Sequence, residues 1–446
     1  MTDQANPGTG ATNHLSPPTL HQHSRREFLK LAATSAAAIG FPTIVPSSVF
    51  GANAPSNRIA MAGIGLGAMG MSNMASFLRD DVQWVAVCDV DQHNLSRAKR
   101  RVDQHYGNHD CATYGDLRDL LQRRDIDAIS LATPDHWHGW VGVHAARCGF
   151  DIYGEKPIAH NIREARAVVN AVKQHGRIWQ TGSWQRSTPE FQHAVELVRN
   201  GRIGKVSHVE IGLPDGSAGE PAPVAPVPAG LDWDLWLGPA PWQPYRGTAH
   251  WDWRWVLDWG GGQLNDWIGH HCDIALWAMD MDHTGPVEVT GEGTFPTQGL
   301  WDAPITYKVD CVFENGATMT VANESQLELG RGTRWFGEDG KWIHVSRSAR
   351  SSNPGHLWDD VIEPGEFRVL RGVSHQEDFL HGVRTRRQTI APPEPALRAL
   401  TVGSLGLIAM RLGRKIQWDP VREEIINDPV ANQMVGRVQR EPWSLI

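Results

Sequence analysis

Short apolar runs alternate with helical patterns through the first half of the chain. RIAMAGI (residues 58–64) lacks polar alternation, as expected of a parallel strand buried on both faces. The helical pattern MSNMASFLR follows, then VQWVAVCDV as a second strand. Residues 92–106 and the stretch YGDLRDLLQRR predict helices, and IDAISLA predicts a strand running into TPDHWH (133–138). A helix over 139–148 and the strand DIYGEKP complete the alternation, which is that of a doubly wound parallel sheet.

From about residue 180 the pattern changes. A helix at PEFQHAVELVRNG precedes the strand-like KVSHVEIGL and a long Pro- and Gly-rich loop over 213–230. ITYKVDCVFENGATMTVAN alternates on both sides of Asn315-Gly316, which predicts a hairpin in a mostly antiparallel sheet. The domains expected are a leader over 1–54, a nucleotide-binding domain over 55–180 and a second α/β domain over 181–446.

The first strand opens directly onto Gly65-x-Gly67-x-x-Gly70. Gly65 permits a tight turn, Gly67 lets backbone approach a pyrophosphate, and Gly70 lets helix and strand pack closely. Ala68 and Met69 join these glycines as cofactor-binding candidates. The second strand ends on Asp89, placed to bond a ribose 2′-hydroxyl and to repel a 2′-phosphate, which favours NAD over NADP. In such sheets ligands gather at the carboxyl ends of strands. Thr133, Pro134, His138, Glu155 and Lys156 all fall there, and Lys156 is placed to meet a substrate oxygen beside a nicotinamide.

The segment WRWVLDWGGGQLNDWIGHHCDIALWAMD (253–280) carries the remaining chemistry. At helical spacing Leu264, Ile268, Cys272 (or His271), Ala275 and Met279 face a core, whereas Asp266, Gly269, His270, Asp273 and Trp277 share the other side. Asp266 can hold His270 one turn on and poise it as a general base. The same pair also fits a helix-start acid beside a satisfied structural histidine. His270 and His271 point about 100° apart on a helix, so no metal site is expected. Arg254, Trp255, Trp259 and His271 are candidate substrate contacts. Tryptophan suits both core packing and stacking on a sugar ring, and twenty of them make either use plausible.

The net charge of −8 argues against a nucleic-acid partner, and five scattered cysteines form neither a disulfide framework nor a zinc motif. Residues 1–23 read as disordered. SRREFLK (24–30), the mild apolar run LAATSAAAIGFPTIV (31–45) and ANA (52–54) then stand in the order of an export signal. The paired arginines resemble a twin-arginine signal, which implies the translocation machinery as a partner and a periplasmic location.

Taken in order, NRIAMAGIGLGAMG, VCDVD, ATPDHWH, EKP, QRS, WLGPAPWQPY, LDWGGGQLNDW, HHCDIALWAM and REPWSL resemble the landmarks of the glucose–fructose oxidoreductase / inositol dehydrogenase (Gfo/Idh/MocA) family. The resemblance implies a Rossmann domain followed by an α/β domain with a large open, mainly antiparallel sheet. It also implies catalytic roles for Lys156, Asp266 and His270, and a homo-oligomer, dimer or tetramer. One departure is Ile268, where a glycine is often found two residues after the aspartate. The expected activity is NAD-dependent oxidation of a secondary hydroxyl on a sugar or polyol. The alternatives are a glycosidase working through a transient keto-sugar and a non-catalytic carbohydrate-binding protein.

Overall fold

Six parallel strands form the first sheet of the computed structural model, which describes residues 57–247, 249–369 and 373–445. The expected export signal and disordered leader lie outside the described residues. The strands are β1 (Ile59–Ile64), β2 (Val82–Cys88), β3 (Ala112–Tyr114), β4 (Ala128–Leu131), β5 (Asp151–Gly154) and β6 (Trp179–Thr181), in the order β3-β2-β1-β4-β5-β6. Every position of β4 and β5 is buried, because helices cover both faces of the sheet. The order reverses between β1 and β4, which opens a crevice at their carboxyl ends.

Helices α1 (Ala68–Phe77), α2 (Gln92–Tyr106), α3 (Asp135–Cys148) and α4 (Ile162–Gln174) follow the strands. The third begins four residues earlier than its apolar pattern suggested, with Pro134 as its N-cap at φ −58°. YGDLRDLLQRR yields only a single turn, Leu117–Leu120, capped by Asp116.

The second sheet has nine strands: β7 (His208–Leu213), β8 (Glu288–Thr294), β9 (Thr306–Val312), β10 (Thr318–Asn323), β11 (Gly332–Phe336), β12 (Trp342–Val345), β13 (Arg350–Asn353), β14 (Ile416–Asp419) and β15 (Glu424–Ile425). Their order is β13-β12-β11-β7-β10-β9-β8-β14-β15, with β7 and β10 parallel and every other pair antiparallel. The expected hairpin joins β9 to β10, with Gly316 at φ +84°. In β9 the side chains alternate between buried Tyr307, Val309 and Cys311 and the more exposed Lys308, Asp310 and Val312, so one face of the sheet is packed and the other is open.

The packed face lies under α5 (Pro189–Arg199), α6 (Gly262–Ala278) and α8 (Pro393–Leu412); α7 (His375–Thr385) packs its Phe379 against Phe77 and Tyr153 of the first domain. Almost the whole of α6 is buried, so its two faces divide between two packed surroundings and not between core and solvent. Ile268 is fully buried beside Gly403 of α8.

One buried ion cluster pins α6. The Arg186 guanidinium donates to both oxygens of Asp273 at 2.7 and 2.9 Å and to both of Asp282 at 2.7 and 3.0 Å, with its plane 4.8 Å from the Trp277 ring. Removing the cation leaves Asp273 buried without its counter-charge. Arg186→Leu is therefore expected to cost about 3–5 kcal/mol, read as a lower denaturant midpoint in chemical unfolding.

Candidate functional site

At the carboxyl end of β1 the chain turns so tightly that Gly65 takes φ +80°, and a Cβ there would lie 2.7 Å from the Ala132 and Thr133 backbone. A Cβ on Gly70 would lie 1.9 Å from the Gly65 carbonyl oxygen, so α1 seats directly on the turn. Gly67 differs: a Cβ there meets nothing within 4 Å. Gly67 is the N-cap of α1 and offers no side-chain cap, so the first N–H groups of the helix face open space.

That space is a cavity of about 400 Å³. Gly65, Gly67, Ala68, Met69, Asp89, Thr133 and Pro134 line one side. Leu231, Trp236, His250, Trp251, Trp253 and Arg254 line the other. The Thr133 hydroxyl is buried with no partner among the described residues. A helix start without a cap, a clear space at Gly67 and an orphaned hydroxyl fit a dinucleotide. Asp89 accepts the Leu66 N–H at 2.6 Å and the Asp91 N–H at 2.9 Å. Burial is the main cause that pushes its pKa up to about 6.

The loop covering the cavity rides on a small aromatic core. Trp233 and Trp236 stack at 4.7 Å, and Trp259 meets both edge-on at 5.8 and 5.0 Å. Trp259 is fully buried there, which corrects its expected place as a substrate contact. Trp255 stacks on Trp301 at 5.0 Å.

Lys156 enters from the end of β5. Its Nζ donates to the Asp266 carboxylate at 2.8 Å and to the Asp266 carbonyl at 3.1 Å. The other Asp266 oxygen lies 3.0 Å from Arg254 Nε. Gly269 gives the lysine stem its room, since a Cβ on it would lie 3.2 Å from Lys156 Cβ. Burial acts to raise the Asp266 pKa, but the Lys156 and Arg254 charges outweigh it and hold the carboxyl below its ordinary value.

The expectation that Asp266 orients His270 is therefore corrected, because both its oxygens are taken by cations. His270 is buried, and its Nδ1 has no partner among the described residues. Burial first, then the Lys156 and Arg347 charges, hold its pKa well below the ordinary value, so the ring is neutral at neutral pH. His271 points elsewhere: it is wholly buried, its carbonyl accepts from the Thr333 hydroxyl, and it cannot touch a substrate.

Two further expected cofactor contacts are structural. His138 places its ring nitrogens 2.6 Å from the Pro157 carbonyl and 2.8 Å from the Thr133 carbonyl, tying the ends of β4 and β5 together. Glu155 turns away to accept from Asn73 of α1 at 3.0 Å.

Some neighbours were not among the site residues expected from the sequence. Asp135 is buried close enough to feel the Asp266 charge; burial, then that charge, hold its carboxyl well above the ordinary range. Trp184 and Trp267 flank His270 at 6.5 and 5.3 Å, and the Arg347 guanidinium lies 4.5 and 4.6 Å from their rings. Asp135 and Trp267 lie inside the landmarks ATPDHWH and LDWGGGQLNDW, and Trp184 directly precedes QRS, whereas Arg347 belongs to no motif.

Gly67→Val is expected to fill the open cradle. Loss of the small N-cap should cost about 1 kcal/mol or less, while NADH affinity falls by at least about a hundredfold. Thermal unfolding and NADH fluorescence titration of the same protein check the two effects separately.

Comparison with known proteins supports the division of labour. Residues 58–183 match the family described as oxidoreductase family, NAD-binding Rossmann fold, and residues 216–445 match its C-terminal alpha/beta domain. The chain is 27% identical to the uncharacterized oxidoreductase YrbE of Bacillus subtilis over 300 residues, covering 65% of this chain and 73% of that one. It is 25% identical over 371 residues to a glycosyl hydrolase family 109 protein of Stenotrophomonas maltophilia, covering 75% and 78%. A similar protein from Shewanella baltica is 29% identical over 210 residues, and this match spans 43% of the chain and 46% of that relative. Among solved structures, the aldose-aldose oxidoreductase of Caulobacter crescentus superposes with TM-score 0.58 at 18% identity, over 81% of this chain and 99% of that one. The myo-inositol 2-dehydrogenase of Lactobacillus plantarum gives 0.56 at 17% over the same shares. These two likenesses concern the fold. With both of its domains matched, the chain belongs to the Gfo/Idh/MocA oxidoreductase family and carries that family's NAD-binding Rossmann domain.

Proposed function

We propose that the protein oxidises a secondary hydroxyl of a sugar, glycoside or polyol, using NAD that it holds tightly and that passes the hydride on to a second, carbonyl-bearing substrate, so that it returns to its starting state in each turnover. The observation that carries this reading is the meeting of Lys156 with the His270 helix beside the dinucleotide cradle. Bound there, the nicotinamide supplies the redox chemistry that side chains lack. The neutral His270 accepts the hydroxyl proton. Lys156 Nζ donates to the oxygen as negative charge develops on it. Asp266 holds that ammonium in place, and Arg254 closes the pair from the covering loop. Asp89 in the cradle favours NAD over NADP.

A second reading is favoured by the family 109 glycosyl hydrolase relatives. A ketone formed transiently on a glycoside acidifies the adjacent C–H, so a base can drive loss of the aglycone; water then adds and the ketone is reduced again. The same residues serve both readings. We further propose export through the twin-arginine signal at 24–54, with a symmetric dimer or tetramer as the working assembly. Export would remove the enzyme from free cytoplasmic NAD, which supports a retained cofactor.

Mass spectrometry of the purified, denatured protein should detect co-released NAD. A glycoside panel then separates the readings: a reduced second substrate marks net oxidation with recycled NAD, released sugar without NADH marks cleavage, and accumulated NADH overturns the recycling. Absence of both activities across the panel overturns the proposal.

Lys156→Met should lower kcat by about 10²–10³-fold with NAD affinity retained. Because the His270 pKa is depressed below 6.5, the base form persists as pH falls. The acid limb of kcat/KM assigned to this group should therefore lie below pH 6.5, and it should disappear in His270→Asn.

A further inference from the structure

The whole chain is net negative, yet the wall beside His270 is cationic. Lys156 and Arg254 share one carboxylate, Asp266. Arg331 lies 4.8 Å over the Trp267 ring and is paired with Glu324 at 2.7 Å. Arg347, delivered by the turn between β12 and β13, has no carboxylate partner among the described residues. Its Nε donates to Gln185 Oε1 at 3.1 Å, and Gln185 in turn donates to the His270 carbonyl at 3.3 Å.

The placement of this guanidinium is specific. Trp184 and Trp267 cover it, and both indoles also border His270. With Nε committed to Gln185, the two terminal nitrogens keep their N–H donors unused among the described residues. A planar fork held by aromatic rings and a hydrogen bond loses little freedom when it binds a planar or tetrahedral anion. Arg347 is partly desolvated and feels the like charge of Arg331 more than the opposite charge of Asp266, an imbalance that a bound anion offsets.

We propose that Arg347 forms an anion subsite of the substrate pocket, and that the substrate is an acidic sugar whose carboxylate or sulfate ester docks on its terminal nitrogens. This rests on the oxidoreductase reading and narrows its substrate class. Trp184 and Trp267 would frame the sugar, while Arg347 fixes which end faces the anion subsite and leaves a hydroxyl to Lys156 and His270.

The test measures binding separately from turnover. Methyl glucuronide, glucose 6-sulfate and the neutral methyl glucoside are titrated into the purified, NAD-supplemented protein by calorimetry, with intrinsic tryptophan fluorescence as a second signal. At least one acid should bind about tenfold or more tightly than the glucoside, with the advantage weakened by added salt. Arg347→Ala should bring the ratio close to one. Arg347→Lys, which keeps the charge without the fork, should retain only part of it. Whichever acid prevails identifies the anion as carboxylate or sulfate. Equal binding of all three, no binding of either acid, or a preference that survives in Arg347→Ala overturns the subsite. An Arg347-dependent preference without oxidation or cleavage leaves the subsite standing and removes the functional reading instead.

Discussion

Asp266 is the constraint on which the site depends. It is buried on α6 and faces two cations, one from the first sheet and one from the loop over the cavity. A carboxylate so placed is tolerated only because both charges answer it, and each cation in turn depends on that one anion. The arrangement fixes the height of Lys156 above the cradle. It also brings together parts of the chain separated by 110 residues between Lys156 and Asp266. The rest of the local construction serves this contact: Gly269 clears the lysine stem, His138 staples the two strand ends, and the Arg186 cluster anchors the far end of the helix.

Desolvation then divides the titratable groups into different roles. Asp266 stays charged because its neighbours outweigh burial, whereas at Asp135 burial and the Asp266 charge outweigh the same two cations and drive it toward its neutral form. His270 is driven the same way, toward an uncharged ring that can take a proton. One helix and one strand end thus present a fixed cation, a fixed anion and a neutral base within a small volume, and that difference in charge state is what a proton-coupled redox step needs.

The nucleotide half could be read almost directly from the chain, since its signals are local. Gly65, Gly67 and Gly70 each answer a backbone requirement within a few residues, and Asn315-Gly316 encodes its own turn. Helical spacing likewise placed Asp266 and His270 on one side of α6. Spacing could not reveal which partner would claim Asp266, because Lys156 and Arg254 reach it only through the tertiary fold. The tryptophans show the same limit. Composition suggested sugar stacking or core packing for all of them alike, yet burial assigns Trp259 to the core and leaves Trp184 beside His270. Arg347 was invisible for a related reason: a hairpin turn carries it to the site, and its neighbours in sequence have no part in the chemistry.

Arg254 belongs to two structures at once. It lines the cavity from the covering loop, and it completes the charge pair that holds Lys156. Any movement that lifts the loop from the cavity would part Arg254 from Asp266. Opening the cradle and loosening the hold on Lys156 are therefore geometrically linked.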